Sequence, residues 1–131
     1  MATILYAEDE RDIRELISFN LRFLGKYKVI EAANGVEAIE RAVAEHPDLI
    51  ILDVRMPRMT GYEACKKLKG NDKTKNIPVI FLSAKGQDKE IQQGMNAGAV
   101  DYILKPCESE DVLSRVRSTL ESARLGIYKE D

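Results

Sequence analysis

Five short apolar runs punctuate the chain: TILYA (3–7), KVIEA (28–32), LIILD (49–53), PVIFL (78–82) and VDYIL (100–104). Three of them are nearly continuous instead of alternating, a pattern that suits strands covered on both faces, as in a parallel sheet. Between the runs the period becomes helical. Over 11–24, Ile13, Leu16, Ile17, Asn20, Leu21 and Leu24 recur at helical spacing with one polar interruption. Asn34 is placed to cap a helix carrying Ala38, Ile39, Ala42 and Val43, which Pro47 stops. Thr60 opens a third helix through Lys69, with Gly70 at its end. A more polar helix covers 87–97 and closes on Gly98. A last one runs from Ser109 to Ala123 with Val112, Leu113, Val116 and Leu120 inward.

Strand followed by helix, five times over, predicts a doubly wound α/β domain, because right-handed crossovers turn that alternation into a parallel sheet with helices on both faces. The pattern does not predict the order of the strands. With 131 residues and no repeat, linker or low-complexity segment, the chain suits one domain over 1–124 and a C-terminal tail over 125–131. Hydrophobic residues make up 44% and charged residues 32%, ordinary for a soluble globular protein, and a net charge of −2 gives no argument for nucleic acid or an acidic membrane. No apolar run approaches the roughly 20 residues that span a bilayer, and MATILYAEDE lacks the basic start of a signal peptide. Cys65 and Cys107 form no metal pattern, so both are expected as reduced packing residues in a cytoplasmic protein.

The run LIILD leads from buried strand directly to an acid. Open parallel sheets place their sites beyond the carboxyl ends of the strands. The residues expected there are Glu8 and Asp9 after the first strand, Asp53 after the third, Ser83 after the fourth and Lys105 after the fifth. Three acids in one crevice repel, and a divalent cation with oxygen ligands, Mg²⁺ above all, relieves that repulsion. A carboxylate is also a nucleophile toward phosphorus, and Lys105 and Ser83 are suitable donors for phosphoryl oxygens. No P-loop pattern is present. Taken singly, each residue has a plain alternative: Asp53 a turn residue, Glu8-Asp9-Glu10 a solvated first helical turn, Ser83 a cap, Lys105 a surface lysine. Together they favour a Mg²⁺-dependent phosphoryl site.

Over 3–123 the sequence resembles the receiver domains of bacterial two-component response regulators. The resemblance rests on four separated stretches in register: ILYAEDE, LIILDVRMPRMTGYE, IPVIFLSAK and GAVDYILKPCE. It implies a flavodoxin-like (βα)5 fold with strand order 2-1-3-4-5. It implies that Asp53 is the phosphoacceptor, with Ser83 and Lys105 contacting phosphoryl oxygens. Mg²⁺ would be held by Asp9, Asp53 and the main-chain carbonyl of Arg55, with Glu8 acting through metal-bound water. The Lys105–Pro106 bond would be cis, and Ser83 and Tyr102 would be the switch pair, Tyr102 moving inward. Asp101 and Arg115 would mark an interaction face on the fourth helix, fifth strand and fifth helix.

The implied partners are a sensor histidine kinase or phosphotransfer protein upstream, and a protein target or a second copy downstream, with no direct nucleic-acid or membrane binding. Four positions depart from the common pattern: Cys107 stands where a large apolar residue is frequent, Val100 replaces an acid, and Arg55 and Lys85 flank the site as rim charges. Three rivals to a stand-alone receiver arise from the same residues. The chain could be the receiver part of a longer DNA-binding or other output regulator, a Mg²⁺-dependent aspartyl phosphotransferase or hydrolase, or an unphosphorylated structural module. Arg55 argues against the enzyme, which needs an acid two residues after its nucleophile. Asp9, Asp53, Ser83 and Lys105 together argue against the structural module.

Overall fold

The structure is a computed structural model that describes residues 1–126. Apart from Leu125 and Gly126, the expected tail lies outside the described residues. Strands β1 (Thr3–Ala7), β2 (Lys28–Ala32), β3 (Leu49–Leu52), β4 (Val79–Ser83) and β5 (Asp101–Leu104) alternate with helices α1 (Arg11–Phe23), α2 (Gly35–Glu45), α3 (Gly61–Lys69), α4 (Asp88–Asn96) and α5 (Ser109–Arg124). All strand pairs are parallel and the order across the sheet is β2-β1-β3-β4-β5. The doubly wound α/β architecture and its 2-1-3-4-5 order therefore stand as the sequence and its resemblance imply.

Local chemistry explains the boundaries. Pro78 has no N–H, so β4 starts one residue later than the apolar run, although the Pro78 carbonyl still accepts from Ile50 N at 3.0 Å. The side chain of Asn34 accepts from Glu37 N and starts α2, and His46 in the left-handed region ends it. Thr60 and Glu63 form a reciprocal capping box at α3.

Successive strand residues point to opposite faces, which splits the core in two. Leu5, Ala7, Ile50, Leu52, Val79 and Phe81 pack under α2, α3 and α4, while Ile4, Tyr6, Leu49, Ile51, Ile80 and Leu82 pack under α1 and α5. The inward residues expected for α5 hold that place, with Leu120 half-buried. Helix α1 differs from expectation: Leu16 and Leu24 are 61% and 54% exposed, and Ser18 and Leu21 are its buried residues. The contact stripe is the row through Ile17, Ser18 and Leu21, and Leu16 is two positions from Ser18, which places it on another face. Cys65 is buried and Cys107 half-buried, both as free thiols. Among the described residues, no helix is long and apolar enough to cross a membrane.

Candidate functional site

Sheet register brings the acids level. Ala7 pairs with Ala32 on one side and Leu52 on the other. Just beyond, Glu8 N donates to Ala32 O at 3.0 Å and Asp53 N donates to Ala7 O at 3.1 Å. Asp53 thus continues the ladder one residue past β3, and the rigid strand aims its side chain at the crevice. Carboxylate oxygens of Glu8, Asp9 and Asp53 lie within 4.8 Å of one another, with Glu8 and Asp53 buried and Asp9 exposed. Lys105 N donates to Ser83 O at 2.9 Å beyond the end of β5. The Lys105 side chain reaches across the crevice, with Nζ 2.6 Å from Glu8 Oε1 and 3.7 Å from Asp53 Oδ2. The Lys105–Pro106 peptide is cis.

Asp53 Oδ1 accepts the Val54 N–H at 2.8 Å, which leaves Oδ2 facing Lys105. Burial, and then the charge on Glu8, push the Asp53 carboxyl up to about 7, while Lys105 and the Val54 N–H oppose the rise. Repulsion of this kind, at a set of oxygen donors, fits a hard divalent cation.

The loop returning from Asp53 carries Pro57, and Arg58 adopts φ 71°. Gly61 N donates to Val54 O at 2.9 Å, and a β-carbon on Gly61 would lie 2.2 Å from the Asp53 carbonyl oxygen. Only glycine permits that approach. Arg55 is exposed at the rim, and Lys85 pairs with Glu90 at 3.2 Å.

Ser83 is buried, and its Oγ accepts from Lys85 N at 3.1 Å. Tyr102 is already inside in this structure, 8% exposed, with its hydroxyl donating to Lys85 O at 2.6 Å. The Lys85 backbone therefore joins the two expected switch residues, its N–H to Ser83 and its carbonyl to Tyr102. Arg115 and Asp101 form a surface ion pair at 2.9 Å. Two residues near the site escaped the sequence reading. Tyr6 reaches Glu8 at 3.3 Å, and the Tyr62 hydroxyl lies 3.3 Å from that of Tyr102 and donates to Glu90 O at 3.0 Å. For Tyr6 the available signal was an aromatic hydroxyl two residues before an acid, since i and i+2 share a strand face.

The family model of the response regulator receiver domain matches residues 4–117. The DNA-binding dual master transcriptional regulator RpaA of Synechocystis sp. is 40% identical over 120 residues, which cover 92% of this chain and 49% of that protein. Response regulator MprA of Mycobacterium tuberculosis is 38% identical over 121 residues, 92% of this chain and 51% of that protein. The chain spans about half the length of these curated relatives. Among solved structures, the chemotaxis protein CheY4 of Vibrio cholerae superposes with a TM-score of 0.85 at 34% identity, covering 90% of this chain and 98% of that one. A putative response regulator from Chloroflexus aurantiacus gives 0.86 at 35% identity, with 92% and 98% covered.

Proposed function

The chain belongs to the response regulator receiver family of two-component signalling, and from that premise we propose that Asp53 is its phosphoacceptor. The observation that carries this reading is the convergence of Glu8, Asp9 and Asp53 with the Lys105 ammonium set between Glu8 and Asp53. An oxygen of Asp53 attacks phosphorus, the oxygen–phosphorus bond forms, and the bond from phosphorus to a donor imidazole breaks. Its electron pair leaves with that imidazole. The donor is the phosphohistidine of a sensor kinase or phosphotransfer protein. Lys105 exchanges Glu8 for a phosphoryl oxygen, and the Ser83 hydroxyl turns from Lys85 N to donate to another. Asp9, Asp53 and the Arg55 carbonyl would hold Mg²⁺, with Glu8 acting through water. When bound, the metal neutralises charge that develops on the phosphoryl oxygens.

A receiver domain is a signalling domain, and the only chemistry proposed for it is its own phosphorylation and dephosphorylation. Its output is a surface. The added dianion draws on Ser83 and Lys105, and α4, β5 and α5, with Asp101 and Arg115, present the change to a protein target or a second copy in the cytoplasm. RpaA is named a DNA-binding regulator and is about twice as long as the segment matched here. Coupling of this domain to a further output domain is accordingly the alternative form of the same reading.

Incubation with a small phosphodonor and Mg²⁺ tests the assignment. Intact-mass spectra should show one added phosphoryl group on the wild-type chain and none on Asp53→Asn. Equal labelling of that variant overturns it.

A further inference from the structure

Tyr6 is the one aromatic residue of β1, and it is fully buried on the α1 and α5 side of the sheet. Its hydroxyl is not adrift there, because it donates to Glu8 Oε1 at 3.3 Å. The Glu8 carboxylate has two further anchors. Lys105 Nζ shares Oε1 at 2.6 Å, and Glu10 N donates to Oε2 at 3.2 Å. These anchors differ in permanence. Lys105 also faces Asp53 at 3.7 Å and is the group drawn to a phosphoryl oxygen. Glu10 is exposed at the mouth of the crevice. Tyr6 alone is sealed in the core, with a rigid ring and two side-chain torsions.

We infer that Tyr6 is a positioning residue of the receiver site: its buried hydroxyl holds the Glu8 carboxylate in place for Mg²⁺ and keeps it there when Lys105 turns to the phosphoryl group. The inference rests on the reading of Asp53 given above and adds the residue that organises its acidic partner. Glutamate at position 8 is what makes the anchor necessary. It has one more rotatable bond than aspartate, and its carboxylate extends about 1.5 Å further, the length of one C–C bond. An aspartate in its place would fall short of the hydroxyl and would need no such hold.

The test compares the wild type, Tyr6→Phe, Glu8→Asp and the double variant. Mg²⁺ is titrated into each while amide shifts around Val54 are followed, and labelling by a small phosphodonor is measured across the same Mg²⁺ range. Phenylalanine keeps the ring and removes only the hydroxyl. The expected result is that Tyr6→Phe weakens Mg²⁺ binding about tenfold, the cost typical of removing a partner that orients a ligand. Its labelling rate at saturating Mg²⁺ stays at the wild-type value. In the Glu8→Asp background, adding Tyr6→Phe should change nothing. A Tyr6→Phe chain with wild-type Mg²⁺ affinity overturns the inference. So does an equal weakening in the Glu8→Asp background, which would mean that Tyr6 acts only through packing. A second measurement needs no variant: in wild-type protein with labelled tyrosine, the ring carbon bearing the Tyr6 hydroxyl should shift with the same Mg²⁺ midpoint as the Val54 amide, and a silent signal overturns the inference. A wild type that neither binds Mg²⁺ nor labels would bring down the reading of Asp53 itself, and Tyr6 with it. Binding and labelling with Tyr6→Phe indistinguishable from wild type would remove Tyr6 alone.

Discussion

Asp53 titrates at about 7 in the folded chain against 3.8 for an ordinary aspartate, because burial and the neighbouring Glu8 disfavour its charge. The folded chain therefore holds a proton that the unfolded chain releases between those two values. Stability falls as pH rises through this window and levels off above it. Asn at this position carries no charge to desolvate. In metal-free buffer Asp53→Asn should be more stable than wild type, and the gap should widen by about 2 kcal/mol from about pH 5 to about pH 8. Urea denaturation at the two pH values measures this directly. A gap that is constant or shrinks with pH would contradict the electrostatic origin. The same repulsion that destabilises the resting domain is what a cation would relieve, so the stability cost and the metal affinity have one source.

Between β3 and α3, the chain must turn back within eight residues without disturbing Asp53. Two devices achieve this, and they differ in energy. Thr60 caps α3 and exchanges hydrogen bonds with Glu63, whose carboxyl is held below the usual range chiefly by the Thr60 N–H. Thr60→Ala should cost about 1 kcal/mol and leave labelling of Asp53 intact. Gly61 touches the Asp53 carbonyl, where a β-carbon would be at 2.2 Å. The obstacle is backbone, not a flexible side chain, so the loop itself has to shift. Gly61→Ala should therefore destabilise by about 2 kcal/mol or more and also slow phosphorylation. Paired melting and labelling assays separate the two cases. A Gly61→Ala chain as active as Thr60→Ala would show that the loop does not position the acceptor.

Across the molecule, Ser83 and Tyr102 are joined through the two ends of the Lys85 backbone. Tyr102 also packs against Phe81 and Gly94, where a β-carbon on Gly94 would lie 2.9 Å from the tyrosine ring. Movement of Ser83 toward a phosphoryl group would break its bond to Lys85 and so reach Tyr102 without requiring a long displacement. The Asp101–Arg115 pair is exposed and contributes little to stability by itself, which leaves it available to a partner. With the phosphoryl mimic beryllofluoride, NMR shifts should extend from the Asp53 loop through Lys85 and Tyr102 to α5. Shifts confined to the loops, with Tyr102 and α5 silent, would defeat the relay. Sedimentation of the activated chain tests separately whether the altered face pairs with a second copy.

Much of this was legible along the chain because the determinants are local. Continuous apolar runs mark strands buried on both faces, Asn34 and Thr60 announce helix starts with their own side chains, and acids directly after strands mark the sheet end where parallel folds place sites. The four motif stretches add the family. What the tertiary structure alone decided involves distances between segments far apart in sequence or rotations with no local signal. Periodicity places Leu16 and Leu24 near an apolar stripe but does not set how α1 rolls on the sheet, and the roll leaves both exposed. Strand runs do not specify their neighbours. Pairing β1 with both β2 and β3 is what brings Glu8 level with Asp53, and the reach of Lys105 to Glu8, 97 residues away, follows from that order. Tyr6 reads as an aliphatic substitute within a buried run until Glu8 is seen folded back over its hydroxyl. Each of these depends on which surfaces exclude water together, a property of the assembled sheet and not of any segment in it.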